Sequence, residues 1–158
     1  MNIYIMRHGD AQIGNFEDKK RPLTETGELE VKVMAKWLAG KRCQFDAIFA
    51  SPYLRAQQTA QVLVHEIAID LPVHTLDLLT PDGDAKQVHD YLDGMLAIEK
   101  WQNILLVSHM PLVSYLSGQL TADQHTPLFP TASIAEIDYD QRLMRGSITQ
   151  QFSPTNFC

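Results

Sequence analysis

The sequence predicts an α/β fold with a mostly parallel central sheet and helices on both faces. Two observations carry this. Residues 3–6, 47–50 and 104–107 are short, continuously apolar runs, as expected of strands buried on both faces. Stretches of helical periodicity lie between them, and alternating strands and helices pack as a parallel sheet covered on both sides.

The elements follow in order. Ile3, Tyr4, Ile5 and Met6 form the first strand. Thr24 is a suitable N-cap for a helix in which Leu29, Val33 and Trp37 fall at i, i+4 and i+8. Met34 and Leu38 widen that stripe and Gly40 stops it. After the strand at residues 47–50, Ser51 and Pro52 break the chain into a helix over residues 53–67, with Ala56, Ala60, Leu63 and Ile67 on one face. Residues 72–76 suit a short strand. Asp84 and Gln87 resemble a capping box opening a helix through Leu96. The strand at 104–107 leads to a helix with Pro111 in its first turn and Leu112, Leu116 and Leu120 on one stripe. Residues 133–139 and 146–152 read as two strands joined by a polar turn at a sheet edge.

Composition narrows the function classes. The chain has 158 residues, enough for one domain (1–158) with a real core. No apolar run approaches the roughly 20 residues that span a bilayer, so no membrane partner is expected. The apolar run before Arg7, residues 3–6, is only four residues long, too short for a secretory signal. Cys43 and Cys158 lack framework spacing, and a reduced, cytoplasmic setting is expected. The formal net charge is −6 and the 13 lysines and arginines are scattered, which argues against a nucleic-acid partner. The basic runs at 19–21 and 41–42 read as solvated loop charges. His65, His74, His89 and His125 lack metal-ligand spacing and read as surface or incidental residues, so neither metal nor cofactor is expected. Trp37 and Trp101 read as packing residues.

In parallel α/β sheets, ligands bind outside the carboxyl ends of the strands. Just past the three most apolar strands lie Arg7, His8 and Gly9, then Ser51 and Pro52, then Ser108 and His109; Arg55 follows in the first turn of the second helix. One histidine after a strand, or one arginine opening a helix, is ordinarily structural or solvent-facing. Their joint placement at one rim is what asks for an anion. Guanidinium forks match phosphate oxygens, a neutral imidazole can attack phosphorus, and fixed cations facing the developing charge are usually the largest catalytic contribution. Gly9 would let the backbone approach a ligand closely.

Arg7-His8-Gly9 resembles the RHG signature of the histidine phosphatase superfamily, the phosphoglycerate-mutase-like fold. Arg21-Pro22-Leu23-Thr24 with Gly27, the stretch 51–59 and Ser108-His109-Met110-Pro111 resemble three further family blocks in the right order. The resemblance implies a three-layer fold in which His8 is phosphorylated and Arg7, Arg55 and His109 form the phosphate pocket, with Gly9 and Arg21 as further substrate-binding positions. Within the superfamily the chain looks most like the short SixA-type phosphohistidine phosphatases, by its compact length, by residues 7–11 and by residues 79–84 and 109–113. Only about 35 residues separate position 67 from the strand at 104, so no large lid is expected, and an open pocket would admit a phosphorylated side chain on a protein.

The implied activity is removal of a phosphoryl group from a phosphohistidine-containing protein, a phosphotransfer domain or carrier, by a monomer. Two alternatives stay open: a phosphatase or mutase for small phosphomonoesters, and a phosphate-binding module without turnover. Mutase-type relatives place a glutamate in an L-x-E segment as general acid; here Leu76, Asp77 and Leu78 occupy that stretch, with Leu78 where the glutamate would stand. On a strand, Asp77 would point to the other face. Asp10, Asp82 and Asp84 are other candidates, Asp84 being equally suited to capping a helix. The acid stays unassigned.

Overall fold

The structure, a computed structural model, describes residues 1–157; Cys158 lies outside the described residues. The chain forms β1 (Asn2–Arg7), α1 (Glu25–Gly40), β2 (Ala47–Ala50), α2 (Leu54–Glu66), β3 (Val73–Thr75), α3 (Ala85–Ile98), β4 (Asn103–Ser108), α4 (Leu112–Leu120), β5 (Ile134–Asp140) and β6 (Arg145–Phe152). Short 3₁₀ turns occur at Asp18–Lys20, Asp77–Leu79 and Pro154–Phe157.

The sheet order is β3-β2-β4-β1-β5-β6. Its first four strands run parallel, whereas β5 is antiparallel to β1 and β6 to β5. Alternation along β1 sends Ile3 and Ile5 to one face, against Val88, Leu92, Leu112 and Leu116 of α3 and α4. Tyr4 and Met6 go to the other, against Val31, Met34, Ala56, Ala60 and Leu63 of α1 and α2. This is the expected three-layer arrangement, and β2 coincides with the expected run.

Helix α1 buries Met34 and Leu38 as expected but corrects the rest of the stripe. Its buried residues are Gly27, Val31, Met34, Ala35 and Leu38, while Leu29 is 59% exposed and Val33 and Trp37 are only partly covered. Two close backbone contacts set this rotation. A Cβ on Gly27 would meet the Asp10 carbonyl oxygen at 2.1 Å, and one on Gly9 would meet the Gly27 carbonyl oxygen at 2.8 Å. The α1 start therefore lies directly on the loop after β1, and Val31 follows Gly27 one turn along. Gly9 is required for this helix contact, a different reason from the ligand approach expected of it.

Other local expectations shift in detail. Thr24 caps α1 through Gly27 N–H at 3.0 Å, but Gly40 lies within the helix and the left-handed residue beyond it is Arg42, at φ 54°. Asp84 caps α3 by accepting from Lys86 N–H at 2.8 Å, one residue before Gln87. Pro111 stands at the N-cap of α4 rather than inside its first turn. Lys41 is no solvated charge: its ammonium donates to Glu136 at 2.6 Å and lies 5.1 Å from the Trp37 ring centroid. His89 is likewise built in, its Nε2 2.9 Å from the Tyr139 hydroxyl and 3.3 Å from Asp93. Trp37 packs on Phe152 and Trp101 on Phe49, as packing residues should.

Candidate active site

Register brings the strand ends together. Arg7 lies opposite Ser108 on β4, and Ala50 opposite Val107. The residues just past β1, β2 and β4 therefore emerge side by side at one rim. The backbone there is pinned on both sides: His8 N–H donates to Ser108 O at 3.0 Å, and His8 O accepts from Ala132 N–H at 2.9 Å. Gly9 N–H donates to the Thr59 hydroxyl at 3.1 Å, and that hydroxyl donates to Arg55 O at 2.7 Å, tying the loop to α2.

His8 and His109 face each other, with ring centroids 5.1 Å apart. His8 Nδ1 lies 2.7 Å from the Gly9 carbonyl oxygen, which can only accept, so Nδ1 carries the proton. The Nε2 lone pair is then free to accept, and Arg55 Nε–H points at it from 3.3 Å. Burial, together with Arg55, Arg7 and Arg21, pulls the His8 pKa down to about 4 against the opposing Gly9 hydrogen bond. The imidazole is thus neutral near pH 7, as a nucleophile must be.

His109 is 1% exposed, and its pKa is lowered to about 2 by burial, then by His8 and the arginines. Its Nε2 lies 2.7 Å from the Ser51 hydroxyl. That hydroxyl already accepts from Tyr53 N–H at 3.2 Å. Where the Ser51 proton is directed to Nε2, His109 carries its own proton on Nδ1, which is then a donor. Nδ1 is buried and has no protein hydrogen-bond partner among the described residues, and Arg7 Nε is in the same condition. Buried donors of this kind are normally satisfied, and an anion between them would satisfy both. His109 is therefore held here as a neutral ring, not as a cation.

The other candidates divide. Arg7 Nη1 donates to Phe129 O at 2.8 Å, which orients its fork. Arg21 stands at the outer edge, donating to Gln12 O at 2.7 Å and to Asp18 Oδ1 at 3.1 Å. Asp10 accepts from the Thr24 hydroxyl at 2.7 Å. Asp77 is exposed at the start of a 3₁₀ turn, so the strand-face argument against it does not apply. Asp82 is exposed and Asp84 is a helix cap. Sequence reasoning missed Asp18, whose carbonyl oxygen and carboxylate both receive Arg55. It also missed Glu30, which holds Asp10 N–H at 2.8 Å and the Thr131 hydroxyl at 2.7 Å. A groove of about 770 Å³ lies elsewhere, lined by Lys86, His89, Tyr115, Thr121 and Arg145 among others, and includes none of the four central residues.

A parallel sheet presenting paired arginines and histidines at its carboxyl rim defines a class, and the chain belongs to the histidine phosphatase superfamily. The model of that family's branch 1 matches residues 3–80. The chain is 37% identical to phosphohistidine phosphatase SixA of Escherichia coli (strain K12), over 99% of this chain and 96% of that protein. It is 33% identical to a SixA homolog of Haemophilus influenzae, over 89% of each chain. The structure of the protein histidine phosphatase SixA complexed with tungstate superposes with a TM-score of 0.95 at 36% identity, covering both chains fully.

The neutral, buried histidines carry a stability cost in acid. Unfolded, His8 protonates below about pH 6.5; folded, it resists to about 4. The unfolded chain therefore binds the extra proton between those values, and stability falls as pH drops through that window. At about 1.4 kcal/mol per pH unit, His8 alone accounts for about 2 kcal/mol between pH 6.5 and 5. Urea unfolding at both pH values should show His8→Ala losing about 2 kcal/mol less than the unaltered protein. Equal losses would mean that His8 is already protonated in the folded state.

Proposed function

We propose that the protein is a phosphohistidine phosphatase that takes the phosphoryl group from a histidine of a partner protein through a phospho-His8 intermediate. The carrying observation is the state of His8: Nδ1–H tied to Gly9 O, and the Nε2 lone pair facing Arg55 Nε–H. In the free enzyme Arg55 Nε–H covers that lone pair. An arriving phosphoryl group draws the guanidinium onto its own oxygens and uncovers Nε2. Nε2 attacks phosphorus, the N–P bond to the substrate imidazole breaks, and that imidazole leaves. Water then attacks phospho-His8, releasing phosphate and restoring the neutral ring. Arg7 Nε and His109 Nδ1–H supply further donors to the phosphoryl oxygens.

Three things support the substrate assignment. The full-length similarity to SixA proteins extends beyond the shared fold. The near-identical fold was solved with tungstate, a tetrahedral oxyanion shaped like phosphate. Among the described residues, the carboxylates of Asp10 and Asp18 accept hydrogen bonds at the rim rather than donate them, a point with kinetic consequences. Residues 1–158 would act as a single domain and a monomer in the cytoplasm, on a phosphotransfer domain or similar carrier. The deciding experiment is phosphate release from a panel of phosphohistidine protein, phosphoaspartate protein and phosphosugars. Preference for a sugar phosphate would replace this reading with that of a small-ester phosphatase.

Arg55→Lys should lower kcat/KM for phosphohistidine protein by about 10-fold or more. An ammonium cannot contact His8 Nε2 and Asp18 at once as the fork does, and each tenfold corresponds to about 1.4 kcal/mol. Near-normal kinetics in that variant would place Arg55 outside the reaction.

A further inference from the structure

The side of Arg55 turned away from His8 is already occupied. The 3₁₀ turn at Asp18–Lys20 brings the Asp18 carbonyl oxygen to 2.6 Å from Arg55 Nη1 and its Oδ2 to 3.3 Å from Nη2. The other carboxylate oxygen, Oδ1, takes Arg21 Nη1 at 3.1 Å. One carboxylate therefore bridges two arginines of the rim. Its side chain is 57% exposed, whereas that of Arg55 is 5% exposed. Asp18 sits at the mouth and Arg55 at the floor. Burial opposes the charge on Asp18, but the Arg21 hydrogen bond and the Arg55 charge outweigh it and hold the carboxyl below its ordinary value.

We propose that Asp18 is the internal counter-anion of the cradle: it positions Arg55 and Arg21 in the free enzyme and competes with the phosphoryl group for them, which sets how tightly phosphate is held and how readily it leaves. This rests on the reading of the rim as a phosphate site. The competition follows from the bonds. A phosphoryl group that takes Arg55 by Nε and Nη2 needs the Nη2 edge Asp18 now engages, whereas the Nη1 bond to the Asp18 carbonyl oxygen can persist. Without a counter-anion, three guanidiniums would bind product phosphate too tightly for rapid turnover. Without the carbonyl contact, the fork would lose its orientation toward His8.

The two functions separate by substitution. Asp18→Asn removes the charge but keeps the carbonyl oxygen and an amide oxygen of the same reach. Asp18→Glu keeps the charge. Binding of inorganic phosphate at pH 7 and low salt is measured by calorimetry on the intact chain, alongside phosphate inhibition of turnover. The expected result is a Kd at least about 10-fold lower for Asp18→Asn, or about 1.4 kcal/mol, a matching fall in the inhibition constant, and a Kd near that of the unaltered protein for Asp18→Glu. Because Asp18 is exposed, raising the salt should narrow the Asp18→Asn difference. A purely structural role would instead weaken phosphate binding in both variants, and that result overturns the proposal. So does an unchanged Kd in Asp18→Asn, or equal tightening in both variants. If the unaltered protein binds no phosphate, the reading of the rim itself fails, whatever the variants do.

Discussion

Replacing His8 by alanine is expected to lower turnover of a phosphohistidine protein by at least about 10⁴-fold, since removing the nucleophile of a covalent hydrolase costs on the order of 10⁶ in kcat. The size follows from the site. His8 Nε2 is the buried lone pair at which Arg55 Nε–H points, with the His109 ring 5.1 Å from the His8 ring. Water entering an alanine-sized gap would be unoriented, and the two-step path would collapse to one difficult displacement. Rapid quenching of the unaltered protein with labelled substrate should trap an acid-labile, alkali-stable adduct on His8. His8→Ala should form none while still folding, because the ring's hydrogen bonds go to the adjacent Gly9 carbonyl and to the Arg55 side chain, which Asp18 also holds. Wild-type turnover by His8→Ala would end the covalent reading.

Much of this was legible in the sequence because strand ends are fixed by apolar runs. Residues 47–50 are apolar and bounded, and β2 occupies just those positions. Once three such runs are read as adjacent parallel strands, Arg7, His8, Ser51 and His109 must emerge at one rim. Helix rotation was harder. On α1, Met34 and Leu38 fit a stripe with Leu29, Val33 and Trp37 as well as one with Val31 and Ala35. The choice between them is made by the Gly27 contact with the Asp10 carbonyl, a tertiary requirement that leaves no periodicity. Asp18 was invisible for a related reason. It lies in a polar connection without pattern, and its contact with Arg55 comes from a 3₁₀ turn that folds back over α2. The Ser51 bond to His109 depends on the β2–β4 register, so the Ser-Pro pair announced only a turn.

The substrate preference follows from the carboxylates around the site. A general acid for an ester must hold a proton near pH 7, which needs a carboxyl pKa tuned up to about 6–7. Asp18 moves the other way, held down by Arg21 and Arg55 against its burial. Asp10 and Glu30 act as acceptors, the first from the Thr24 hydroxyl and the second from Asp10 N–H and the Thr131 hydroxyl. Asp84 accepts from Lys86 N–H, and Asp77 and Asp82 are exposed. An alkyl phosphate leaves as an alkoxide comparable in basicity to hydroxide, whose parent water has a pKa of about 15.7. A phosphohistidine protonated on its other ring nitrogen leaves as neutral imidazole, whose conjugate acid has a pKa of about 6.5. The gap of roughly 9 units corresponds to about 12 kcal/mol of leaving-group basicity, only part of which reaches the barrier. Positioned acid catalysis typically supplies about 10² to 10⁴ in rate, so kcat/KM for phosphohistidine should exceed that for an alkyl phosphate by at least about 10²-fold. Asp77→Asn should leave phosphohistidine turnover nearly unchanged. Comparable rates on both substrates, with Asp77→Asn abolishing ester hydrolysis alone, would make Asp77 an acid reached by motion of its 3₁₀ turn and would turn the assignment toward small esters.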